Sequence, residues 1–171
     1  ERMLDDEFVA SLCLFARHGV FGNYNGKNYD DLLDDIYKEN TTKAERKFIK
    51  QILKYLEQLW KKMPDKLSKE NKQKKYWDAL ICMKGIMQEQ NLTWFNSRTS
   101  PKQFITDFYS WWFDKLSDGE TRYKPAKDKV TFKEMTGGFK RETHITFLKN
   151  MLDEEFISEM LKKQILKVDR S

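Results

Sequence analysis

Lys43, Lys47, Lys50, Lys54 and Lys61 follow one another at intervals of 4, 3, 4 and 7 residues. That is the repeat of an α-helix, so the five ammonium groups stand on one helical face. Arg46 and Lys62 extend the stripe, and the lysine-rich stretch from Lys66 to Lys75 continues its positive potential. Such a row suits the phosphates of a nucleic acid, with an affinity that falls with salt and ignores base sequence. Lys43, Lys47, Lys50, Lys54, Lys61 and Lys62 are therefore the candidate nucleic-acid-binding residues. The competing reading is a solvated outer face that keeps the domain soluble. Aromatic residues do not interleave with these lysines, so their spacing offers no stacking platform for single strands.

Other constellations carry less. Asp30-Asp31-Leu32-Leu33-Asp34-Asp35 places carboxylates on one helical face, as Mg²⁺ and diphosphate binding requires. That chemistry also needs a larger helical fold and a second metal motif, and the run reads better as an acidic helix start. Arg141 and His144 stand close together, as in a metal-independent RNase, but helical RNases of the HEPN type use a wider interval. Gly137-Gly138 is followed by no Gly-Lys-Ser/Thr, so it ends a helix rather than cradling phosphate. Two cysteines, Cys13 and Cys82, and two histidines, His18 and His144, do not supply the four ligands of a structural zinc site. Both thiols lie in apolar helical context and are expected to be buried and free, as in a reducing cytosol. No catalytic residue, metal or cofactor is expected from these patterns.

The elements that must position the stripe are helical. Thr42 and Glu45 form a Thr-x-x-Glu capping box, and Ile49, Ile52, Leu53, Leu56, Leu59, Trp60 and Met63 then fall on one apolar stripe up to Pro64. Before it, one helix is expected from about Leu4 to His18, stopping at Gly19, and another from Tyr29 to Glu39. After it, a largely apolar helix is expected over 76–90. Ser100-Pro101-Lys102-Gln103 opens a further helix, with the serine as cap and the glutamine making the return bond. A short capped helix is expected over 131–137, and two closing helices over 141–151 and 153–168. In the last of these, Phe156, Ile157, Met160, Leu161, Ile165 and Val168 share one face. The fold class is all-α: a single compact domain of about six to seven helices over 1–171, without significant sheet. Loops are expected near 19–28, 64–75 and 117–130.

Composition agrees. Seven glycines and three prolines are too few for a turn-rich β-sandwich, and a mean hydropathy of −0.81 with no long apolar run excludes a membrane helix. The stretch from Phe8 to Ala16 follows acidic rather than basic residues, which argues against a secretory signal and for the cytoplasm. The net charge of +5 is uneven: residues 1–40 hold 4 basic and 9 acidic residues, and residues 41–75 hold 12 and 4. The aromatic group Trp94, Phe95, Phe104, Phe108, Tyr109, Trp111, Trp112 and Phe113 exceeds what one helix face buries. Most of the group is expected in the core, and the remainder to pack on a neighbouring domain.

Several stretches resemble one bacterial family. Arg2-Met-Leu-Asp5-Asp-Glu7-Phe-Val, the apolar helix through Leu12 and Phe15, and Tyr29-Asp-Asp-Leu-Leu-Asp-Asp are similar to the GmrSD-type modification-dependent restriction proteins and their relatives. In these, a ParB/sulfiredoxin-like nucleotidase domain precedes a helical region opening with Arg-x-x-Asp-x-Glu. Lys75-Tyr-Trp-Asp78-Ala-Leu-Ile resembles the family's later Phe-Asp-Ala segment. The stretch from Phe132 through Gly138 to Thr143-His-Ile-Thr-Phe-Leu resembles its closing helices. The family's Asp-Gly-Gln-Gln-Arg signature and its His-Asn-His nuclease motif are both missing here. The resemblance thus implies a non-catalytic helical region of a longer defence protein, an expectation that the initial Glu1 also suggests. Its partners would be its own nucleotidase domain and DNA. Arg2, Asp5, Glu7 and Asp78 carry over as pattern matches, with packing roles. Two alternatives from other classes are an oligomerisation module working through exposed Trp111 or Trp112, and a small metal-dependent helical hydrolase.

Overall fold

The computed structural model describes residues 2–19, 29–64, 74–117 and 142–170. Its elements in chain order are α1 (Arg2–His18), α2 (Tyr29–Lys38), α3 (Lys43–Lys62), α4 (Lys74–Glu89), β1 (Leu92–Trp94), α5 (Ser100–Ser117), α6 (Glu142–Met151), a wider π turn (Leu152–Ile157), α7 (Ser158–Lys162) and β2 (Leu166–Val168). Among the described residues the domain is all-α apart from one two-stranded antiparallel ribbon, in which Leu92 pairs with Val168 and Trp94 with Leu166. The expected helix over 131–137 and the Gly137-Gly138 stop lie outside the described residues.

Helix α3 organises the packing, touching α1, α4 and α5. Its start is held as its sequence demands. Glu45 donates its N–H to the Thr42 hydroxyl (3.2 Å), and Thr42 donates its own to the Glu45 carboxylate (2.6 Å). That carboxylate is buried and also accepts Arg17 Nε of α1 at 2.9 Å, while Arg17 Nη1 reaches Glu39 at 2.8 Å. One guanidinium thus ties together the ends of α1 and α2 and the start of α3.

The aromatic group of α5 lies largely in the core. Phe104, Phe108 and Trp112 are fully buried and meet Tyr76 and Phe156, with ring centroids 4.9–6.0 Å apart for the pairs Tyr76–Phe108, Tyr76–Trp112 and Phe108–Phe156. Trp112 is therefore not available to a partner, and Trp111 is half-buried against Phe108 and Phe156. The exposed aromatics among the described residues are instead Tyr37, Trp60 and Phe95.

One expected cap and one expected helix end are corrected. Helix α5 opens at Ser100 as expected, but the capping bonds are made in the turn that leads into it, where Asn96 Oδ1 accepts the N–H groups of Arg98 (2.9 Å) and Thr99 (3.4 Å). Ser100 is buried one turn further in, and its hydroxyl accepts the Asn96 N–H at 3.0 Å. Gln103 turns to Asp107 rather than making a return bond. At the other end of the chain, the closing helix stops at Lys162 rather than Val168. Gln164 takes φ +55°, Ile165 donates to the Met160 carbonyl (2.9 Å) and Gln164 to that of Leu161 (3.1 Å). This is the paired 6→1 and 5→2 bonding of a Schellman stop, made without the usual glycine. Val168 consequently lies in β2, exposed, instead of on an inward helical face.

Two outcomes follow. Gln164→Gly removes the left-handed strain and raises stability by about 1 kcal/mol in urea unfolding. Glu45→Gln lowers it near neutral pH by roughly 1–3 kcal/mol, the scale of hydrogen bonds to a charged group. The Arg17 hydrogen bond, helped by Thr42, holds the Glu45 carboxyl below its ordinary value. Its contribution is therefore complete above about pH 4.3 and is lost as pH falls through the lowered value. Urea midpoints of the wild type and Glu45→Gln converge accordingly on acidification.

Candidate nucleic-acid interface

The α3 stripe is set by the helix's own burial. Ile52, Tyr55, Leu56 and Leu59 face the core, and at about 100° per residue Lys43, Lys47, Lys50, Lys54 and Lys61 fall on the diametrically opposite side. All five are exposed. A concavity of about 780 Å³ is lined by Lys43, Ala44, Arg46, Lys47, Lys50, Gln51 and Lys54. Lys43, Lys47, Lys50 and Lys54 have no carboxylate partner among the described residues, and Arg46 donates Nη1 to the Thr41 carbonyl at 2.8 Å.

The two remaining candidates differ. Lys61 is paired with Glu57 one turn away, which offsets its charge. Lys62 lies about 100° around the helix from Lys61 and is not part of the row. The structure thus brings together Lys43, Arg46, Lys47, Lys50 and Lys54 and leaves the Lys61 end partly neutralised.

A second, smaller concavity escaped the sequence reading. It holds about 310 Å³ between α3, α4 and β1 and is lined by Gln51, Lys54, Tyr55, Gln58, Lys84, Gln88 and Trp94. Lys54 and Gln51 border both concavities. Lys84 Nζ sits 5.5 Å from the centre of the Tyr55 ring, and burial draws its pKa below the ordinary lysine value. The Tyr55 and Trp94 rings are nearly parallel, 12° apart in plane with centroids at 6.4 Å. So aromatics absent from the lysine stripe along the chain are adjacent to it in space. One signal was legible: Lys84 is the lone charge in the apolar run from Ala79 to Met87.

The remaining candidates do not assemble a reactive centre. Asp31 and Asp34 are exposed on α2, and among the described residues no group of three or more His, Cys, Asp or Glu side chains converges. Arg141 and the side chains of His144, Arg2, Asp5 and Glu7 lie outside the described residues. Asp78 is buried on α4. The Cys82 thiol is fully buried; its burial, and then the neighbouring Asp78 carboxylate, push its pKa well up. Cys13 is only partly buried, which corrects the expectation for it, and burial followed by Glu45 raises its thiol too. Neither sulfur is poised as a thiolate nucleophile. No family model, no curated protein and no solved structure matches the chain.

With both thiols raised, an aromatic disulfide reagent at about pH 8 should leave Cys82 unmodified in the folded protein. Cys13 should react more slowly than a free thiol, and both should react fully in denaturant. Counting the thiols released with and without denaturant checks this.

Proposed function

We propose that this domain contacts the sugar–phosphate backbone of DNA through the N-terminal two-thirds of α3. The observation that carries this reading is the cluster of Lys43, Arg46, Lys47, Lys50 and Lys54 around one open concavity, opposite the buried arc of the same helix. A face whose only duty is solubility does better with both signs of charge interspersed. Here four lysines without carboxylate partners among the described residues share one side. Their spacing along the helix is a regular row of donors, which fixes position on a phosphate backbone without reading bases.

In this reading the domain is the non-catalytic helical part of a GmrSD-like bacterial defence protein acting in the cytoplasm. It scaffolds a nucleotidase domain located elsewhere in the parent chain. The quoted resemblances from Arg2 to Glu7, Tyr29 to Asp35 and Lys75 to Ile81 support this placement. No helix among the described residues is long and apolar enough to cross a membrane.

Duplex binding followed by fluorescence anisotropy tests the α3 contact. With some four phosphates engaged, affinity falls by about two orders of magnitude between about 50 and 200 mM salt. Lys47→Glu with Lys50→Glu lowers the magnitude of the logarithmic salt slope by about 2, whereas Lys61→Ala changes it little because Glu57 already offsets that charge. Absence of binding at about 50 mM salt would refute the contact.

A further inference from the structure

The smaller concavity beside the stripe has a chemistry of its own. Lys84 is a half-buried cation on a helix whose neighbouring residues Leu80, Ile81, Met83 and Met87 are buried apolar groups. Among the described residues no carboxylate lies within ion-pair distance of it; what it touches is the face of Tyr55. A desolvated ammonium without a counter-anion is costly to maintain, and an anion entering the cleft would offset that cost. Lys54 stands at the same cleft, so two ammonium groups can flank one phosphate. Trp94 packs on Tyr55 and meets the ring of Phe104, and the half-buried part of its indole that lines the cleft gives a nucleobase a π surface to pack on. Gln51, Gln58 and Gln88 add amides that can donate and accept at a base edge, as glutamine does with adenine. A cleft of about 310 Å³ is at the small end of ligand sites, which suits one nucleotide rather than a folded partner. An acidic peptide would satisfy the two lysines, but it would leave the tryptophan face and the three amides without matching groups.

We propose that this cleft receives a single unstacked nucleotide, its base against Trp94 and the glutamine amides and its phosphate between Lys54 and Lys84. Where the nucleotide belongs to a strand, the inference rests on the α3 backbone contact, since Lys54 links the stripe to the cleft. A free mononucleotide has the same chemistry and provides an independent arm of the test.

The experiment uses the full 171-residue chain, a short single-stranded oligonucleotide, its duplex form, and AMP. Single strand is expected to bind about tenfold more tightly than duplex, the scale of one base stacked on an aromatic ring. Lys84→Gln is expected to abolish that preference while leaving duplex affinity within about twofold, since Lys84 lies off the α3 stripe. Gln58→Ala should weaken the preference and serves as a second variant if Lys84→Gln does not fold. AMP should quench tryptophan fluorescence saturably, and Trp94→Phe should reduce that quenching. Equal affinity for the two strand forms, or a Lys84→Gln loss shared equally by both, overturns the proposal. If neither strand form binds, the α3 contact falls and AMP alone decides: saturable quenching upholds the cleft, and its absence overturns it. Displacement of AMP by an oligoglutamate peptide more effectively than by the single strand assigns the cleft to acidic peptides and also overturns it.

Discussion

Ile52, Tyr55, Leu56 and Leu59 must leave water on the same side of α3, and most of what is distinctive in this molecule descends from that requirement. Each such side chain contributes about 1.5–3 kcal/mol on burial, so the orientation of the helix about its own axis is strongly set. With that rotation fixed, the lysines half a turn away are exposed. The capping box then fixes where the helix begins, and Arg17 links that beginning to the ends of the two preceding helices. The backbone that carries the basic face is therefore anchored to the core along its length.

Two physically different kinds of lysine meet at Lys54. Those along the stripe are exposed to water and act at a distance that salt controls. Lys84 is partly stripped of water and held over an aromatic ring, so it acts at contact range and is less sensitive to screening. In the proposed contacts the first kind attracts phosphate at long range and the second binds it on contact. The juxtaposition arises because Tyr55 belongs to the buried arc of α3 and yet reaches its margin, where α4 and β1 close against it.

The sequence was informative where structure is local and opaque where it is not. Thr42, Glu45 and the three-to-four spacing that follows specified α3 almost to the residue, and Gly19 at φ +82° ends α1 where a glycine should. The lysine row could be read because helical periodicity alone places it. The ribbon could not: Leu92-Thr93-Trp94 and Leu166-Lys167-Val168 are three residues each, too short for alternation to register. The end of the last helix was missed because Gln164 adopts a conformation usually announced by glycine. Asn96 was passed over because Ser100-Pro101 gives a stronger-looking start, although the asparagine makes the capping bonds. Trp94 lies 40 residues beyond Lys54, and no local pattern brings a distant tryptophan to a helix margin.

The clasp between β1 and β2 has a bearing on how the chain is made. Leu92 to Trp94 leave the ribosome about 70 residues ahead of their hydrogen-bonding strand, which ends only at Val168. Until that strand follows, the tryptophan at the small cleft has no strand beside it, while the helical hairpins upstream can already consolidate from nearby contacts. Asp169 completes the closure, donating its N–H to the Asn91 carbonyl at 2.6 Å. The cleft is consequently among the last parts of the domain to acquire its shape, and a nascent chain can form its basic helix well before the wall that β1 gives the cleft is in place.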